Sequence, residues 1–176
     1  MQTRVCVNGK ESKMTLVVGD KVVYPSQGPC LIEAVVQKVI DGRPTSFYRF
    51  AILDGGGELF VPLDKVATLR LRQLMAKSEI PKLLGHLEKF SVVEKNWRQR
   101  DVDNARLLSS GSTFDLAEIV ESLTDLSATK SLRPHDRQIL ERAKKILVCE
   151  IAEATGTTID AASERVDEAL KMRKQA

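Results

Sequence analysis

The chain reads as a two-domain α+β protein, a small antiparallel β-barrel followed by a compact all-α bundle. Three observations predict this. Residues 17–69 are built of short apolar runs punctuated by Pro, Gly and Asp-Gly, the texture of strands and turns. Beyond Arg72, apolar residues recur at three- and four-residue spacings, as in helices with one buried face. The 176 residues, 43% of them apolar, are enough for one medium core or two small ones.

Taken in order, residues 1–13 are polar and irregular and read as a flexible extension, with Met14 available as an alternative start. Residues 20–24 form a first strand that ends in the turn cluster Pro25-Ser26-Gln27-Gly28-Pro29. A longer run over 30–40 closes at Asp41-Gly42, a hairpin signal. Residues 46–53 rise as a third strand and break at Gly55-Gly56-Gly57, and 58–61 supply a fourth before Pro62. Four or five such strands in so short a stretch make a small closed barrel or a strongly bent sheet. The glycine run is not a phosphate loop, because it opens a strand rather than a helix; it reads as a hairpin turn needing positive φ. Leu83, Leu84 and Leu87 mark a short helix after Pro81, and a second spans about 93–108 until Gly111 stops it. Ser112 with Asp115 three residues on is a capping box, followed by the stripe Leu116, Val120, Leu123 and Leu126. Pro134 opens a long helix with Ile139, Ala143, Ile146, Leu147, Ile151 and Ala154 on one face. A last helix from near Thr157 buries Ala162, Val166, Ala169 and Leu170. The division is 1–13 extension, 14–72 β-domain and 73–176 helical domain.

Composition narrows the function classes. No stretch has the apolar length of a membrane span or a secretory signal, which predicts a cytoplasmic protein. Cys6, Cys30 and Cys149 are scattered without CxxC spacing and read as reduced thiols rather than as a disulfide or zinc set. His86 and His135 read as exposed helix residues, too few for a His-rich metal site. There is no nucleotide loop, HExxH or nucleophile elbow, so no catalytic residue, metal or cofactor is expected. Binding is the natural class. Residues 73–176 hold 17 basic and 17 acidic side chains, so any nucleic-acid affinity must come from a local patch. One candidate is the run from Arg133 to Lys145, which holds Arg133, Arg137, Arg142, Lys144 and Lys145 against Asp136 and Glu141, next to an acidic run with Asp115, Glu118, Glu121 and Asp125; two helix faces attracting each other explain those charges equally well.

The other candidate surrounds the single tryptophan, in Glu94-Lys95-Asn96-Trp97-Arg98-Gln99-Arg100. Cations there can neutralise phosphates while the flat ring stacks on, or wedges against, a base. A lone Trp in a helical domain is more commonly a packing residue, so this grouping alone does not decide.

Longer motifs do. Val18-Gly19-Asp20-Lys21-Val22-Val23-Tyr24-Pro25-Ser26-Gln27-Gly28 closely resembles the opening of the CarD/CdnL family of bacterial transcription regulators, a module similar to the polymerase-binding domain of transcription-repair coupling factor. Phe47-Tyr48, Val61-Pro62, Leu71-Arg72, Asn96-Trp97 with Arg100, Ala117-Glu118-Ile119-Val120, and Ile139-Leu140 with Ala143, Leu147 and Glu150 continue the resemblance, in family order, over nearly all of 17–172. It implies a Tudor-like β-domain that docks on the β subunit of RNA polymerase, and a helical domain that meets promoter DNA; because charge in residues 73–176 cancels, that contact is expected to be weak and largely without sequence preference. It further implies that Trp97 wedges into the minor groove at the upstream edge of the transcription bubble and stabilises the open complex. Lys95, Arg98 and Arg100 are then the phosphate contacts beside it, with Arg142, Lys144 and Lys145 a second patch. Lys38, Arg49, Phe60, Val61 and Pro62 are the polymerase-contact candidates, and the protein is expected to act as a monomer.

Departures limit the carry-over. Where family members often have two arginines after the tryptophan, this chain has Gln99 and Arg100; Glu121 replaces a frequent arginine, Arg70 a glycine, and Phe60 a basic residue. These changes point to a DNA grip that is weaker or moved onto Arg98, and to docking electrostatics carried by Lys38 and Arg49. The rival reading is a polymerase-docking adaptor whose helices bind another protein through acidic residues around Glu118 and Glu121. A nucleic-acid enzyme is a distant third.

Overall fold

A computed structural model describes residues 5–9, 12–89 and 96–173 of the chain. It divides into two compact units, residues 1–74 and 75–176. Among the described residues the first is antiparallel sheet and the second holds five α-helices, the α+β arrangement that the two periodicities predict.

In the first unit, β1 (Val5–Gly9) and β2 (Ser12–Leu16) form a hairpin, so the segment read as irregular carries two paired strands. Its mixed polar sequence hid them, because neither strand shows clean alternation. Strands β3 (Lys21–Tyr24), β4 (Gly28–Ile40), β5 (Arg43–Ile52), β6 (Gly57–Pro62) and β7 (Arg72–Gln73) make one sheet in the order β6-β5-β4-β3-β7. The unforeseen β7 pairs with β3. β4 lies between β3 and β5, its first residues pairing with β3 on one edge and its whole length from Cys30 to Ile40 with β5 on the other, with a register shift between Ile32 and Ala34. Asp41 and Gly42 both take positive φ, 50° and 74°, giving the primed turn that matches strand twist. In the glycine run only Gly55 and Gly57 do so; Gly56 instead donates its N–H to Asp54 Oδ1 at 2.8 Å. Leu16, Val22, Cys30, Ile32, Tyr48, Phe50, Val61 and Val66 form this unit's core.

In the second unit, α1 is Ile80–Leu87, α2 Trp97–Ser110, α3 Thr113–Thr129, α4 Pro134–Thr155 and α5 Ile159–Met172. The caps follow the sequence. Ser112 Oγ accepts the Asp115 N–H, Pro134 stands at the start of α4, and Thr158 Oγ1 accepts the Ala161 N–H. Gly111 and Gly156 end α2 and α4 with positive φ of 77° and 68°. The expected stripe residues are buried, except that Leu84, Leu126, Ile139 and Ala154 pack only partly against the core. Residues 93–95, read as the start of α2, lie outside the described residues; Asn96 caps the helix, its Oδ1 accepting the Arg98 N–H at 3.1 Å.

Two of the buried polar groups tie elements of this bundle together. Glu150 is fully buried and accepts the Met75 N–H at 2.9 Å and the Thr113 hydroxyl at 3.0 Å, tying the unit's first residue to α3 and α4. Arg173 is also buried, donating to Asp125 and to the Leu87 carbonyl at 2.8 Å, and so clasps the end of α5 onto α1 and α3. Among the described residues no helix is long and apolar enough to cross a membrane.

Candidate nucleic-acid interface

Trp97 is the first residue of α2 and is 50% exposed, outside the apolar core. The helix itself explains this placement. Asn104 and Leu107 are the buried residues of α2, so its first turn has no apolar anchor and leaves Trp97, Arg98 and Gln99 exposed. The indole is bordered by two guanidinium groups, Arg98 at 5.1 Å and Arg133 at 5.2 Å from the ring centre. Cations at this distance are attracted by the negative face of an indole.

Ion pairs, rather than apolar contacts, fasten this end of α2 to α4. Arg133 donates from Nε and Nη2 to Asp136 at 2.8 Å each, and from Nη2 and Nη1 to Asp101 at 2.5 and 3.3 Å. Arg100 donates to the same Asp136 at 3.3 and 3.0 Å. The Arg133 hydrogen bonds, and then those of Arg100, outweigh burial and hold the Asp136 carboxyl down at about 2. Arg133 lowers Asp101 in the same way. Two arginines and two aspartates make a network of zero net charge.

The expected phosphate contacts therefore separate. Arg98 is exposed beside Trp97 and, among the described residues, has no carboxylate partner. Arg100 is spent on Asp136, its side chain only 15% exposed, so it is a strut of the frame and not a free cation. Lys95 lies outside the described residues. Gln99 donates to Asp103 at 3.0 Å along the helix. In the second patch, Lys144 is committed to Asp167 of α5 at 2.6 Å, while Arg142 and Lys145 are exposed. Arg133, Asp101 and Asp136 were missed as residues of the Trp97 site. Arg133 and Asp136 are three apart at a helix start, a legible local pair, but nothing in the spacing links either to Asp101, 32 residues from Arg133.

The acidic run of α3 does not face the basic run as a matched pair of surfaces. Glu121 is buried, its carboxylate bonded to His86 Nδ1 and lying 3.7 Å from Arg173. Burial raises the Glu121 carboxyl above its ordinary range against the pull of those two partners. His86 is accordingly half-buried, packed edge-on to Phe114, and not the exposed residue expected; His135 is exposed.

On the sheet, strand register sorts the polymerase-contact candidates. Ala34 pairs with Arg49 and Arg49 with Phe60, while Val36 pairs with Phe47 and Phe47 with Pro62. Directly paired residues share a face, so Lys38, Arg49, Phe60 and Pro62 lie together on the side opposite the core. The Lys38 ammonium sits 3.3 Å from the Phe60 ring centre, and Phe60 is 40% exposed. Arg49 Nε is 3.1 Å from Glu33, close enough for attraction but not aligned as a hydrogen bond. Val61 belongs to the other face, pairs with Tyr48 and is buried; it supports the surface from beneath and does not form it.

Comparison with known proteins divides the chain in the same two parts. Residues 16–75 match the CarD-like/TRCF RID domain and residues 82–167 match the CarD C-terminal domain. A Bacillus subtilis (strain 168) protein named "Putative transcription factor YdeB" is 24% identical over 144 residues, covering 80% of this chain and 93% of its own.

Proposed function

Since the chain belongs to the CarD-like family of transcription factors and carries its RNA polymerase-interacting domain, we propose that it docks on the polymerase β subunit and props the promoter open with Trp97. The observation that carries this reading is the half-exposed indole at the start of α2. A flat apolar plate beside a distorted base step resists re-stacking, and a gain of about 1.4 kcal/mol shifts the open/closed ratio tenfold. Arg98 is the phosphate contact beside it. Docking uses the outer face of β4–β6, where Lys38, Arg49, Phe60 and Pro62 gather. The adaptor reading loses support, because Glu121 is buried and cannot contribute to an acidic docking patch.

The test is the lifetime of the open complex on one promoter with saturating protein. Trp97→Ala is expected to shorten it toward the value without the protein while polymerase binding is unchanged. A variant that docks, melts as expected and still prolongs the open complex would refute the assignment. Lys38→Glu is expected to weaken retention of the β subunit and leave the helical unit intact.

A further inference from the structure

We propose that Arg133 is the positioning residue of Trp97, its guanidinium locked by Asp101 and Asp136 so that it lies over the indole and sets the plane of the ring. The proposal rests on the reading of Trp97 as the wedge. It adds a residue from another helix, 36 positions away in the chain.

The geometry is that of a clamp. Asp101 stands one helical turn after Trp97 on the same side of α2, so Arg133, by bonding Asp101, is drawn across the turn that carries the indole. All three guanidinium nitrogens are engaged, through four contacts to two carboxylates. Asp136 is itself fixed by Arg100, so the group that holds the clamp is held in turn. A planar fork bonded on two sides has one orientation available, which a lysine ammonium could not reproduce. Since the four charges cancel, Arg133 has little left to offer a phosphate. Its role is to restrict the ring, which reduces the ordering cost when the wedge engages.

Trp97 is the only tryptophan, so its emission reports on this clamp in the intact chain. Anisotropy and acrylamide quenching are compared in wild-type, Arg133→Lys and Asp101→Asn proteins whose circular dichroism and melting confirm folding. The expected result is lower anisotropy and a roughly twofold rise in quenching for Arg133→Lys, with a smaller change in the same direction for Asp101→Asn, because charge without a fork cannot hold the plane. Open-complex lifetime falls in the same order, with polymerase retention unchanged. Folded variants whose Trp97 emission matches wild type would overturn the clamp. So would a loosened indole with a wild-type lifetime, provided Trp97→Ala shortens it. If Trp97→Ala has no effect on lifetime either, the wedge reading has failed, and the emission comparison still decides whether Arg133 sets the ring.

Discussion

At the scale of single residues, the molecule distinguishes cations that are committed from those that are available. Arg100, Arg133, Lys144 and Arg173 each meet a carboxylate, whereas Arg98 stands beside the indole without one among the described residues. Trp97 shows the same distinction for apolar surface. Its half-exposed ring leaves two cation contacts behind when truncated, so Trp97→Ala is expected to cost roughly 1 to 2 kcal/mol, against about 3 to 5 for a fully buried Trp. Denaturant melting measures this, and a loss above that range would place the ring in the core. The exposure of Trp97 was not decided by its neighbours and followed only from the longer motifs, whereas the turn at Asp41-Gly42 was legible from its own two residues. The burial of Glu121 was not, because its partners His86 and Arg173 lie 35 and 52 positions away, and a carboxylate at that spacing reads equally well as a solvated face.

At the scale of elements, α2 differs from its neighbours. The apolar stripes of α3, α4 and α5 were readable because each buries one continuous face. In α2 only Asn104 and Leu107 are buried, and the Asn104 amide nitrogen has no partner among the described residues. The start of the helix is instead pinned by Asp101 and Arg100, a tertiary solution that periodicity does not encode. Acid should release it. Asp136 and Asp101 have carboxyls below their ordinary range, so their stabilisation is fully present above the unfolded value near 4 and is lost as pH falls toward the folded value, about 2 for Asp136. Trp97 emission is therefore expected to be flat from pH 7 to about 4 and to change below it, and Asp136→Asn should already show that change at pH 7. An emission curve with its midpoint near neutrality would contradict the pinning described for α2.

For the whole molecule, the separation into a strand-built unit and a helical unit was readable from the change of period near Arg72, though not the two strands before residue 17 or the short β7. Its expected consequence is that residues 1–74, which contain every strand among the described residues, retain the β subunit without the helices. A fragment that is folded by circular dichroism yet fails to capture polymerase would refute the docking assignment. The helical unit should bind free DNA poorly. Its 17 basic and 17 acidic residues cancel, and several of the former are internally paired. With Z of about 1 or 2 phosphates neutralised, affinity should vary with salt by a slope of only roughly −1 to −2 on logarithmic axes. Tight, sequence-selective shifts at physiological salt would overturn this. A tethered protein needs no more, since docking supplies the local concentration.

The sparse apolar anchoring of α2 carries a consequence for how a promoter is let go. A helix whose first turns rest on ion pairs opens locally at a free energy below that of the whole bundle. Backbone amides of residues 100–104 should accordingly exchange with deuterium well before those of residues 146–152, which lie in the packed centre of α4. Equal protection of the two segments would rule this out. Under the proposed wedge role, such a hierarchy would let polymerase leaving the promoter shed the indole by fraying one helix end while the proposed docking through the β-unit persists.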